Sequence, residues 1–138
     1  MKSRRGFTLI EVMVVVLIVS ILAAILVPLL TARIEAARWS EGKAGAGMLA
    51  TAIRAYAAET QENSPTATLS STVTDYLPAT DLDGKFFKMP TAYAITAGPS
   101  ISSTGVLTYT ITVTAPTDGR FTKVPSRTLT HLGVFNPP

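Results

Sequence analysis

FTLIEVMVVVLIVSILAAILVPLL, from Phe7 to Leu30, decides the fold. It follows the basic segment MKSRRG and carries one ionisable side chain, Glu11. As an α-helix its 24 residues extend about 36 Å, enough to cross a hydrocarbon core of about 30 Å. The stretch reads as a membrane-spanning helix. Two of its residues suit a simple anchor poorly. Glu11 stands one turn inside the run, where an ionised carboxylate is costly, by about 2.5 to 3.5 kcal/mol at the centre of a span and less near the interface. Pro28 removes the amide that would bond the Ala24 carbonyl, a change that costs an ordinary helix interior about 3 kcal/mol. Both residues make better sense in a helix that packs against other protein.

The chain has 138 residues, so about a hundred lie beyond the span, which is one small domain. The 47% hydrophobic content and positive mean hydropathy come largely from the span; the second half is rich in Thr, Ser, Gly and Pro. The net charge of +3 has a local origin. Lys2, Arg4 and Arg5 account for three of the twelve basic residues, leaving nine against nine acidic ones from Phe7 onward. A nucleic-acid surface needs a clustered positive face, and the composition gives that class no support. The positive-inside rule keeps the basic leader in the cytoplasm and sends everything after Leu30 across the membrane. There is no cysteine, so the exported part must be held by its own core and its neighbours.

A secretory signal places its small-residue cleavage site after the apolar core. Here the small residue, Gly6, comes before it, so cutting there removes the charges and leaves the apolar helix on the product. Arg4-Arg5-Gly6-Phe7-Thr8-Leu9-Ile10-Glu11 resembles the type IV prepilin signature, RGFTLIE, of the family comprising type IV pilins and the pseudopilins of type II secretion. The resemblance covers about residues 1–60. It implies that a prepilin peptidase cuts between Gly6 and Phe7 and methylates the new amino terminus of Phe7. It further implies a bacterial inner-membrane protein with a cytoplasmic leader and a periplasmic domain, which later enters a periplasmic or extracellular filament. The implied partners are membrane lipid before assembly, copies of itself and related pilin-like subunits, an assembly platform and a motor ATPase. In such a filament Glu11 pairs with the amino group of a neighbouring subunit's Phe7, and removing either partner strands a buried charge at a cost of about 3 to 5 kcal/mol. The alternative is a solitary anchor whose Glu11 snorkels to the headgroups or is protonated. Pro28 stands where the family usually has proline. The glycine often found eight residues earlier is Ser20 here, which leaves open both local melting on assembly and a continuous, slightly kinked helix.

Helix is expected to continue from Thr31 to about Thr60, with Ile34, Ala37, Ala44, Met48, Leu49, Ala52, Ile53 and Tyr56 as the stripe that packs on a sheet. Arg33, Glu35, Arg38, Lys43, Arg54 and Glu59 are expected mostly to face water or neighbouring subunits. Gly42, Gly45 and Gly47 each weaken a helix by up to about 1 kcal/mol, and the small residues Gly42, Ala46 and Ala50 on one face point to close packing rather than a flexible point. Gly45-Ala46-Gly47-Met48-Leu49-Ala50 fits a GxGxxA dinucleotide fingerprint in letters only, since no strand precedes it. Trp39 is expected to pack where the helix meets the domain.

Asn63-Ser64-Pro65 stops the helix, and residues 66–90 read as a connecting region with a turn of helix near Thr72 to Leu77. Asp81 and Asp83, with Gly84 following, have the spacing of the start of a calcium loop, but no bidentate Glu falls at its twelfth position. The competing reading is a turn at Asp83-Gly84 leading into an aromatic strand at Phe86-Phe87. Strands are expected at Thr91 to Ala97, Val106 to Thr114, Arg120 to Val124 and Thr128 to Phe135, with Gly98 to Gly105 as a connection. The fold class is therefore α+β and pilin-like: a long N-terminal helix on a small antiparallel sheet. Its parts are a leader (1–6), a membrane or filament-core helix (7–30), an exposed continuation (31–62) and a globular end (63–138).

An enzyme is not expected. His131 is the one histidine and there is no cysteine, so neither a nucleophile–base pair nor a metal pair can be assembled from them. No cofactor is expected, apart from the calcium candidates Asp81 and Asp83. The leading expectation is a filament subunit, a type II secretion pseudopilin by its FTLIEVMVVVLIV start, short globular part and missing disulfide. A type IV pilus subunit serving adhesion, motility or DNA uptake is the alternative, and a monomeric membrane-anchored binding module is the third.

Overall fold

A computed structural model describes residues 6–63, 67–121 and 125–137. The chain divides into two compact units, Met1–Ala36 and Ala37–Pro138. One 55-residue helix, α1 (Leu9–Asn63), supplies the described helical residues of the first unit and begins the second.

In the first unit α1 is bare. Every large apolar side chain from Phe7 to Leu30 is between 48% and 87% exposed. The helix passes Pro28 without a break. Hydroxyls bond back to the backbone on either side: Ser20 Oγ donates to the Val16 carbonyl at 2.7 Å and Thr31 Oγ1 to the Pro28 carbonyl at 2.9 Å.

The second unit packs α1 on a five-stranded antiparallel meander, β1 (Ala67–Thr68), β2 (Tyr93–Ile101), β3 (Leu107–Thr114), β4 (Ser126–Thr130) and β5 (Phe135–Asn136), in sequential order. β3 alternates as its sequence predicts. Tyr109, Ile111 and Val113 are buried, while the threonines between them lie on the other face. That second face carries hydroxyl pairs across to β2, Thr96 with Thr112 at 2.9 Å and Ser100 with Thr108 at 3.0 Å. The core joins Trp39, Ala46, Leu49 and Ile53 of α1 to Phe87, Tyr93, Tyr109, Ile111, Val113 and Leu129.

The helix face differs from the expected stripe. Leu49 and Ile53 are buried, but Ile34, Met48 and Tyr56 are 41%, 50% and 47% exposed, and Ala37 and Ala44 are exposed too. The buried face runs instead through Trp39, Gly42, Gly45, Ala46, Leu49, Ala50, Ile53 and Ala57. The reason is the rings brought by the other side. A β-carbon on Gly42 would meet Phe87 Cζ at 2.9 Å, and one on Gly45 would overlap the Tyr93 hydroxyl. The glycines thus serve close packing, against aromatic rings; Gly47 has nothing within 4 Å. Trp39 is buried as expected, with ring centroids 5.1 Å from Phe87 and 5.6 Å from Phe121. Glu35, expected at the surface, is only 8% exposed.

Several strand boundaries also differ. Phe86-Phe87 is not a strand, because both amides are taken by the Glu41 carboxylate. β2 runs through Gly98 to Ile101, accommodated by register shifts on either side of Ala97. The expected strand at 120–124 is absent at Arg120 and Phe121, and its remaining residues lie outside those described. Thr128 to Phe135 is a hairpin rather than one strand: Gly133, with φ of 79°, turns the chain between β4 and β5. The turn near Thr72 to Leu77 is a 3₁₀ turn at Val73–Asp75, and a second follows at Ala79–Asp81.

Candidate processing and assembly site

The head of α1 is built by two side chains. Thr8 precedes the first helical residue, Leu9, and so occupies the capping position, with Glu11 three residues on. The Thr8 amide donates to Glu11 Oε2 at 2.8 Å and the Thr8 hydroxyl donates to the same oxygen at 2.7 Å. In return the Glu11 amide donates to Thr8 Oγ1 at 3.4 Å. This reciprocal arrangement is a capping box, and it satisfies amides that the first turn of a helix leaves without partners. The carboxylate also lies at the positive end of the helix dipole.

Glu11 therefore has work to do within a single chain. The sequence reading missed Thr8 as its partner, although the signal was present: Thr-Leu-Ile-Glu has the spacing of a capping box directly ahead of an apolar run. Phe7, Glu11, Val12 and Val15 line one surface hollow of about 360 Å³, so Phe7 and Glu11 share a surface. Phe7 is 87% exposed. Gly6 is exposed, and a β-carbon there would have nothing within 4 Å. Among the described residues, packing does not demand glycine at that position. Pro28 is exposed on the same bare helix.

Asp81 and Asp83 lie in the second unit, far along the chain from this head. Asp83 Oδ1 accepts the Met89 amide at 2.7 Å, and Thr80 Oγ1 donates to Asp81 Oδ1 at 3.4 Å. Glu41 closes the same loop onto α1, its Oε1 accepting the Phe86 and Phe87 amides at 2.7 and 2.9 Å. Among the described residues no group of three His, Cys, Asp or Glu side chains is placed to hold a metal ion.

No solved structure matches the chain. Its amino-terminal end does match a known family: residues 1–27 fit the model of the prokaryotic N-terminal methylation motif, and the chain thereby carries the prepilin-type signature of type IV pilin-like proteins.

Proposed function

We propose that the protein is a structural subunit of a pilin-like helical filament, in the form of a type II secretion pseudopilin assembled from the inner membrane to drive protein export. The observation that carries the reading is a bare apolar stretch of helix headed by a single acid, directly behind a glycine that none of the described residues crowds. Exposed apolar side chains along a whole helix need either lipid or other helices around them. The bilayer fills that need before assembly and neighbouring copies fill it afterwards.

In the filament, Glu11 exchanges its bonds to Thr8 for the charged amine of a neighbouring subunit's Phe7, freed when the peptidase cuts after Gly6. In this reading the subunit is structural, and catalysis lies with the peptidase and the motor. Glu11→Leu tests the pairing: it should insert in the membrane normally and fail to assemble, and intact filaments from that variant would remove the ion-pair account. The same signature heads type IV pilus subunits. Filament length in electron micrographs and the neighbouring genes separate the two: long surface fibres would turn the assignment to a pilus.

A further inference from the structure

The Phe86 ring has three cations around it. Arg38 lies 5.5 Å from its centroid, Lys85 5.6 Å and Arg120 5.8 Å. The face of a ring attracts a cation, but three like charges gathered within about 10 Å also repel one another across less than a screening length. Asp118 answers one of them, 3.1 Å from Arg120 Nε. Glu41 brings a second carboxylate to the same loop, where its Oε1 accepts the Phe86 and Phe87 amides. Lys88 adds a fourth cation: with Lys85 it is exposed along a groove of about 500 Å³ that Phe86, Asp118 and Arg120 also line. The overall balance of charge outside the leader is even, so this local excess is invisible to composition.

We propose that this groove binds the phosphate of an anionic phospholipid headgroup while the subunit is still in the bilayer. Ammonium and guanidinium groups around an accessible groove suit a phosphate oxyanion, and an anion seated there would relieve the repulsion. The bilayer is the favoured source because of the tether. Arg38, beside the Phe86 ring, follows Leu30 by only eight residues, at most about 28 Å of chain, so an inserted chain holds the groove at a high effective concentration of headgroups. The inference rests on the anchoring half of the function proposed above and not on polymerisation.

The test uses the full chain reconstituted in vesicles of phosphatidylcholine alone, or with about 30% phosphatidylglycerol. Lys85 and Lys88 are labelled with a water-soluble amine reagent and read by peptide mass spectrometry against Lys43, which lies over the Phe135 ring in the same unit. With the anionic lipid their labelling relative to Lys43 should slow about fivefold, and about 0.5 M salt should abolish the slowing. Arg120→Ala, an exposed substitution, should reduce it. Equal ratios in the two kinds of vesicle would overturn the proposal. Equal slowing in phosphatidylcholine vesicles on adding inorganic phosphate would also overturn it, by assigning the groove to a free anion. Vesicle flotation reports separately on the anchor: a chain that does not float lacks the tether, and the proposal falls with it. Loss of filaments alone would leave it standing.

Discussion

The Tyr93 hydroxyl occupies the space that a β-carbon on Gly45 would need. Glycine is there because the ring is there. Gly45→Ala should force the buried ring to move and cost about 1 to 3 kcal/mol, the usual range for overpacking. Gly47→Ala is the paired control. It meets nothing within 4 Å and should stabilise the helix by up to about 1 kcal/mol. Thermal midpoints of the two variants should move in opposite directions.

Tyr93 also predicts an alkaline transition. Burial, reinforced by the Glu41 carboxylate, pushes its phenol up to about 12. An unfolded tyrosine ionises near about 10, so the folded state holds its proton more tightly. The resulting stability is fully present below about pH 10 and is lost as pH rises toward about 12, on the order of 2 kcal/mol. Burial raises Tyr76 and Tyr109 as well, with Arg54 opposing the shift at Tyr109, so these rings act in the same direction. Denaturant midpoints measured through this window should fall, and Tyr93→Phe should flatten the fall.

Glu41 is the clasp of the loop from Asp83 to Phe87. Glu41→Ala leaves two amides without their charged acceptor and should cost about 2 to 4 kcal/mol. Gly84→Ala should act similarly, since its β-carbon would overlap Glu41 Oε1. Hydrogen exchange at the Phe86 and Phe87 amides should speed up in both variants before the rest of the domain responds.

At the head of α1, Glu11→Gln separates two roles that Glu11→Leu removes together. Glutamine can still close a capping box with Thr8, but it brings no charge to a neighbour's amine. If the charge is what assembly needs, Glu11→Gln should insert normally and yield as few filaments as Glu11→Leu. Filaments at wild-type levels would assign the residue to capping alone.

Gly6→Leu should leave an uncut precursor in the inner membrane. Among the described residues no atom lies within 4 Å of a β-carbon there, so the substitution leaves their packing untouched. The mass of the purified protein reads the result directly, and normal removal of the leader would contradict the assigned cleavage position.

What the sequence disclosed followed from how local each signal was. The apolar run from Phe7 and the strict alternation of β3 are carried by neighbouring residues, and they were legible. The buried face of α1 was not. A stripe chosen by large apolar side chains picked Met48 and Tyr56, whereas the burying surface is chosen by Phe87 and Tyr93, more than forty residues away, which seek the glycines. Phe86-Phe87 reads as a strand until Glu41 claims its amides, a contact across 45 positions. At the head of the helix, attention to the cost of Glu11 hid the threonine three residues before it that offsets part of that cost.

The rings of Phe87 and Tyr93, seated at Gly42 and Gly45, also index the domain along its rod. Axial slip by one helical turn, about 5.4 Å, would move Tyr93 from Gly45 onto Met48 or Leu49 in one direction and Phe87 from Gly42 onto Arg38 or Trp39 in the other, so either way one ring loses its vacant β-position. An axial load on the stretch of α1 from Trp39 to Ala57 is thereby handed to the sheet without backlash.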